Sequence, residues 1–194
     1  MADKKSGYFS NVEGTTGNDS FDYSGEHSSI QTYRGDDYVS VKGDFNTIYG
    51  GAGNDSIIAT GSYFNTLYGD AGNDYIKISA SKAYSVLADG GTGDDYFEVE
   101  GGLNKLTITG GAGSDSIKVT SSTSNKVNFV VTDFSAEDVF ILDTDDTGGE
   151  YLTYSETSNG IVIQDTDPNT FSVTLQGVSS ISDIADAKYY YKNG

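Results

Sequence analysis

The chain has 194 residues, with 29 Asp and Glu against 11 Lys and Arg, for a net charge of −18. That sign excludes nucleic acid as a natural partner, because phosphate contacts need cations, and it argues against an anionic membrane surface. Cys is absent and no run approaches the ~20 apolar residues of a membrane span, so neither a disulfide framework nor a spanning helix is expected.

A compact body with this excess of carboxylates repels itself, so a bound cation is the expected partner. Acidic, Gly-rich composition also suits disorder. Against that stand an aromatic content of 12%, 15 Tyr, a single Pro, and apolar residues that recur at fixed positions. The first residues, Met1-Ala2-Asp3-Lys4-Lys5, are basic without a following apolar run and do not form an ordinary signal peptide. Export by another route, or removal from a longer protein, is the expectation.

From residue 14 a six-residue pattern recurs. Two degraded copies come first, Gly14-Thr15-Thr16-Gly17-Asn18-Asp19 and Thr32-Tyr33-Arg34-Gly35-Asp36-Asp37. Four intact copies follow: Gly50-Gly51-Ala52-Gly53-Asn54-Asp55, Gly69-Asp70-Ala71-Gly72-Asn73-Asp74, Gly90-Gly91-Thr92-Gly93-Asp94-Asp95 and Gly110-Gly111-Ala112-Gly113-Ser114-Asp115. Two residues beyond each final Asp stand Phe21, Val39, Ile57, Ile76, Phe97 and Ile117. Four beyond stand Tyr23, Val41, Ala59, Ile78, Val99 and Val119. This period-two alternation predicts a short strand after each turn, with one face buried. Ile48, Leu67, Ala88 and Ile108, each two residues before a turn, predict a second strand, which Val86 and Leu106 extend in the longer repeats. Asp138, with Phe140 and Leu142, continues the pattern as a degenerate seventh coil.

The repeat resembles the haemolysin-type (RTX) calcium-binding repeat G-G-x-G-x-D-x-U-x over residues 14 to 142. The resemblance implies an all-β fold, a parallel β-roll of about six to seven coils, with calcium held between successive turns. Calcium takes six to eight oxygens and accepts carboxylates and backbone carbonyls together. Candidate ligands are therefore the carboxylates of Asp19, Asp37, Asp55, Asp74, Asp95 and Asp115. The backbone joins them at Gly50, Ala52 and Gly53, at Gly69, Ala71 and Gly72, at Gly90, Thr92 and Gly93, and at Gly110, Ala112 and Gly113. Four intact turns make three complete sites, so at least three Ca2+ ions are expected, and degraded turns could add more. Arg34 could repel or replace an ion in the second turn; Asp70 could add a ligand to the fourth or strain it. RTX arrays usually carry a motif every nine residues. Here it comes once per coil, so calcium is expected along one edge only, opposite plain turns in which Asn46, Asn65, Asn104 and Asn125 either bond the backbone or simply follow turn preference.

Beyond the motifs, strand signals appear at Val127–Val131, Ile161–Ile163 and Phe171–Leu175, with a short helix at Ile181–Ala187. The organisation expected is an N-terminal segment (1–13), the β-roll (14–142) and a C-terminal capping region (143–194), since a solenoid must cover its last coil. The resemblance adds a C-terminal signal for bacterial type I secretion, to which the tail from Lys188 could belong.

Other motifs have plainer readings. The Asp143–Gly148 stretch lacks the Glu and helices of an EF-hand and reads as an acidic turn. Arg34-Gly35-Asp36 is explained by repeat register, and Asp167-Pro168 by a hairpin loop. His27 is the only His and builds no nucleophile system, so no enzyme is expected. The chain reads as a monomeric, secreted or cell-surface calcium module with a scaffold role. Alternatives are a module that binds a glycan or cell-surface protein, through outward Tyr38, Tyr49, Tyr68, Tyr75 and Tyr96, or the non-catalytic C-terminal part of a larger secreted enzyme or toxin.

Overall fold

The computed structural model of the protein describes residues 3–60, 63–121, 127–144, 153–164, 171–184 and 189–191. Strands are numbered along the chain. Two parallel ladders wind side by side, one built from the strands after the turns and one from the strands before them. The first stacks β1 (Asp3–Tyr8), β3 (Ser20–Glu26), β5 (Tyr38–Lys42), β7 (Ser56–Thr60), the start of β9 (Tyr75–Thr92), the start of β10 (Tyr96–Ala112), β11 (Ser116–Ser121), β13 (Val139–Thr144) and β17 (Tyr189–Tyr191). The second stacks β2 (Asn11–Glu13), β4 (Ser29–Gln31), β6 (Thr47–Ala52), β8 (Thr66–Ala71), the ends of β9 and β10, β12 (Val127–Val131) and β16 (Phe171–Leu175). This is the expected β-roll.

Alternation decides what lies between the ladders. The inward residues named above, from Phe21 and Tyr23 to Phe140 and Leu142, are all buried, as are Ile48, Leu67, Ala88 and Ile108 facing them. Outward positions of β9, β10, β11 and β13 carry charge instead. Lys77 pairs with Glu98 and Glu100, and Lys118 with Glu98 and Asp143. These half-buried surface pairs contribute little each; the apolar stack carries the fold.

The roll begins ahead of the first motif. β1 pairs with β3 from Asp3↔Phe21 onward and β2 with β4, so residues of the N-terminal segment already form a coil. At the other end β16 and β17 continue both ladders. β15 (Gly160–Gln164) then turns antiparallel to β16, and β14 (Thr153–Thr157) to β15, which covers the last coil. The expected helix is one 3-10 turn, Ile181–Ile184; residues 185–187, the Asp165–Thr170 loop and most of the Asp143–Gly148 stretch lie outside the described residues.

The edge opposite the motifs is tied by side chains. Asn46 Oδ1 accepts the Ser28 N–H at 3.0 Å, and Asn65 Oδ1 accepts the Asn46 N–H at 2.8 Å. Their amides donate to the Gly25 and Gly43 carbonyls at 2.8 and 2.9 Å. Asn104 does not share this place. The register aligns Asn65 with Val86, Val86 with Leu106 and Leu106 with Phe129, all buried, while Asn104 sits beside Tyr84. Longer coils replace the buried amide by an apolar side chain. Asn125 lies outside the described residues.

One residue earlier in each coil, Phe9, His27, Phe45 and Phe64 adopt φ of 55°, 54°, 57° and 58°. This left-handed region costs an ordinary residue about 1–2 kcal/mol. Their rings stack in sequence at centroid spacings of 5.0, 4.5 and 5.0 Å, a gain of about 0.5–1.5 kcal/mol per pair that offsets the strain. The stack lies on the surface, and Phe9 is 74% exposed.

Asn65→Ala should cost about 1–3 kcal/mol, because it leaves the buried Asn46 N–H without an acceptor, whereas Asn104→Ala should stay within about 0.5 kcal/mol. Denaturant unfolding at fixed calcium measures both.

Candidate metal centre

The motif turns superimpose along one edge, and their backbone is bound coil to coil. Gly53, Gly72 and Gly93 donate their N–H to the carbonyls of Ala71, Thr92 and Ala112 in the next coil, each at 2.8 Å. The third-position carbonyls proposed as ligands therefore already accept one hydrogen bond each. Gly72 shows why the fourth position excludes a side chain: its φ is +135°, and a Cβ there would lie 1.9 Å from the Gly53 carbonyl oxygen.

The final aspartates form a second ladder inside the first. Each Asp N–H donates to Oδ1 of the Asp one coil on: Asp19 to Asp37 at 2.6 Å, Asp37 to Asp55 at 2.8 Å, Asp55 to Asp74 and Asp74 to Asp95 at 2.7 Å, Asp95 to Asp115 at 2.9 Å. Asp138 closes the series by accepting from Asp115 at 2.8 Å. The other oxygen is different. Oδ2 of Asp37, Asp55, Asp74 and Asp95 is buried with no hydrogen-bond partner. A buried polar atom left bare costs about 1–3 kcal/mol, more when charged.

What surrounds these bare oxygens is more oxygen. A Cβ built on Gly50 would lie 2.4 Å from Asp55 Oδ2 and 2.8 Å from the Gly69 carbonyl oxygen. At Gly69 the same two distances, to Asp74 Oδ2 and the Gly90 carbonyl, are 2.2 and 2.5 Å. At Gly90, to Asp95 Oδ2 and the Gly110 carbonyl, they are 2.2 and 2.6 Å. The first-position glycine thus keeps open a small cradle with a carboxylate oxygen on one side and a backbone carbonyl of the next coil on the other. A set of hard oxygen donors, with neither His nor Cys beside it, suits calcium rather than zinc. The residues fit the ion.

Electrostatics point the same way. Burial, foremost, and the neighbouring aspartates push the Asp55 and Asp95 carboxyls up to about 7; burial pushes Asp74 and Asp115 up to about 6. Burial also raises Asp37. A row of carboxylates that resist ionisation is a row seeking positive charge.

Other expectations divide. Arg34 is exposed and meets Ala52 through a backbone bridge. Asp70 is exposed at φ +74°, although the crowded turn around it desolvates its carboxyl enough to raise it. The expected Tyr strip is two separate pairs and a lone Tyr38, exposed on the first ladder and separated from Tyr75 by Ser56. Tyr49 and Tyr68 stack at 5.0 Å on the second ladder, Tyr75 and Tyr96 at 5.9 Å on the first, where the Tyr75 hydroxyl also donates to Glu98. Sequence reasoning missed the fifth motif position. There Asn18, Asp36, Asn54, Asn73 and Asp94 each accept, through Oδ1, the N–H of the next coil's equivalent at 2.8–3.0 Å. The recurrence of Asn or Asp before the final Asp was the available signal. It also missed Asp133, which occupies the first-position register of the seventh turn and accepts the Gly110 and Gly111 N–H groups at 2.9 and 2.8 Å.

The family model of the RTX calcium-binding nonapeptide repeat matches four copies, over residues 31–61, 57–77 and 107–118. No curated protein matches the chain. No described helix is long and apolar enough to cross a membrane.

The raised carboxyl values set a pH dependence. A carboxyl that binds its proton more tightly folded than unfolded adds stability below its unfolded value near 3.8, and loses it as pH rises through 6 to 7. The calcium-free roll should therefore be more stable to denaturant at pH 5 than at pH 8. Protons and calcium compete, so apparent calcium affinity should fall over the same interval as pH drops, as calcium titrations at fixed ionic strength would show.

Proposed function

Since the chain carries RTX calcium-binding repeats wound into a β-roll, we propose that it is a calcium-dependent structural module that works outside the cell. It would act as a small secreted protein or as the non-catalytic C-terminal part of a larger secreted enzyme or toxin. The observation that carries this reading is the row of buried, bare Oδ2 atoms along one edge. Where calcium is scarce, desolvated aspartates repel one another and weaken the roll. At extracellular concentrations the ions join coil to coil, and binding energy becomes folding energy. The ordering of the chain is then coupled to its arrival outside, which suits type I export of a loose polypeptide. A scaffold of this kind needs no catalytic group, and none is assigned.

A second reading, adhesion to a glycan or cell-surface protein, draws on exposed aromatics. The Tyr pairs support it weakly, because a sugar needs an open ring face and these faces are turned on each other. The stack of Phe9, His27, Phe45 and Phe64 is also closed face to face along most of its length. It leaves far more apolar surface open, however, with Phe9, Phe45 and Phe64 all exposed, and is the better basis. Binding on a broad glycan array that disappears in Phe45→Ser/Phe64→Ser would support it, and silence across the array would remove the glycan form of the idea.

Far-ultraviolet circular dichroism with and without excess EGTA tests the main reading. A coil-like spectrum should turn to β as calcium is restored, and Asp74→Ala and Asp95→Ala should each move the midpoint to higher calcium. A β spectrum and an unfolding midpoint both indifferent to EGTA would remove the calcium switch and leave a constitutive scaffold.

A further inference from the structure

The first motif position is Gly in turns one, three, four, five and six, but Thr32 in turn two and Asp133 in turn seven. In the third to fifth turns that glycine keeps the oxygen cradle open, since any Cβ would stand 2.2–2.4 Å from the Asp Oδ2 of the same turn. Thr32 puts a side chain there. It is fully buried, its hydroxyl donates to the Gly50 carbonyl oxygen at 2.5 Å, and it lies beside the Asp37 carboxylate. Gly50 O and Asp37 Oδ2 are the counterparts in turn two of the carbonyl and carboxylate that face each other across the cradles of turns three to five. The hydroxyl thus bridges from one coil to the next at the place where those turns leave room for an ion.

The row is closed by side chains at its ends as well. In turn one a Cβ on Gly14 would lie 2.6 Å from Asp19 Oδ2 and 2.9 Å from the Thr32 carbonyl oxygen, as in turns three to five. Here, however, Asp19 Oδ2 already accepts the Thr15 N–H at 2.5 Å and the Thr15 hydroxyl at 3.1 Å. In turn six, the atoms nearest a Cβ on Gly110 all belong to Asp115, with no carbonyl of the next coil among them. There the Asp133 carboxylate takes the Gly110 and Gly111 N–H groups instead.

Resting on the calcium reading above, we infer that Thr32 is a built-in substitute for calcium, and that the row holds three ions, in turns three, four and five. Thr32 satisfies with a neutral hydroxyl a carbonyl that elsewhere would need a cation. The hydroxyl ties the second coil interface without an ion, although Asp37 Oδ2 stays bare. The first coils therefore form the part of the roll least dependent on metal, on which the calcium-bound ones stack. Arg34, the residue in this turn that the sequence singles out, takes no part.

Native mass spectrometry of the whole chain at saturating calcium counts the ions, with calorimetric titration as a check. The expected counts are three for the natural chain, four for Thr32→Gly, and three for Thr32→Val, which fills the cradle without a hydroxyl. The reverse change, Gly69→Thr, should plug turn four and lower the count to two, so the idea stays testable if Thr32→Gly fails to fold. A folded Thr32→Gly that binds no more ions than the natural chain, or a folded Gly69→Thr that binds no fewer, would overturn the role of Thr32. Four or more ions in the natural chain would overturn the count of three. No calcium bound by any variant would instead overturn the calcium reading itself, a distinguishable failure.

Discussion

A carboxylate repeated once per coil, withdrawn from water and facing its own kind above and below, is the condition to which the rest of this molecule is fitted. One oxygen of each final Asp is satisfied by the N–H of the preceding coil, and that bond locks the aspartates into a column. In Asp37, Asp55, Asp74 and Asp95 the second oxygen gains nothing from the protein. Column and cost come together, because the geometry that stacks the coils in register also stacks their charges. Folding is then favoured only to the extent that protons or cations relieve the repulsion.

The rest of the architecture distributes that burden. The apolar column from Phe21 to Leu142 is continuous and carries no charge, so its contribution to holding the coils together does not change with pH. Among the described residues the far edge carries no comparable row of buried charge. It uses a buried amide ladder, Asn46 and Asn65, and a surface stack of aromatic rings that accept left-handed backbone in exchange for ring contacts. One edge therefore answers to the solvent's ions and the other does not. The cap relieves the last coil differently, by turning β15 and β14 antiparallel so that the exposed strand edge is no longer a continuation of the repeat.

Much of this was legible from spacing alone. The six-residue motif and the alternation after it gave the coil, the inward side chains and the column of aspartates, because turn and strand are both local and each repeat confirms the others. What was not legible depended on which neighbour a residue meets one coil away. Asn104 looks like Asn65 in the sequence, yet an insertion moves it out of register and puts Leu106 in the buried place. Arg34 drew notice by its charge while Thr32, small and ordinary, lies inside the turn. The Tyr residues share a pattern but divide between two ladders, since alternation says in or out and not which sheet.

Coil length has a consequence of its own. Successive final aspartates, continued to Asp138, lie 18, 18, 19, 21, 20 and 23 residues apart, while the motif stays at six residues throughout. Every inserted residue is absorbed away from the motif edge, which behaves as a hinge line with a fixed tooth pitch. The cross-section can broaden around it, from an amide at Asn65 to a benzyl group at Phe129, without disturbing a single tooth. Within this chain length varies on one side only, so grafted sequence belongs opposite the aspartates, where the coils already take up slack.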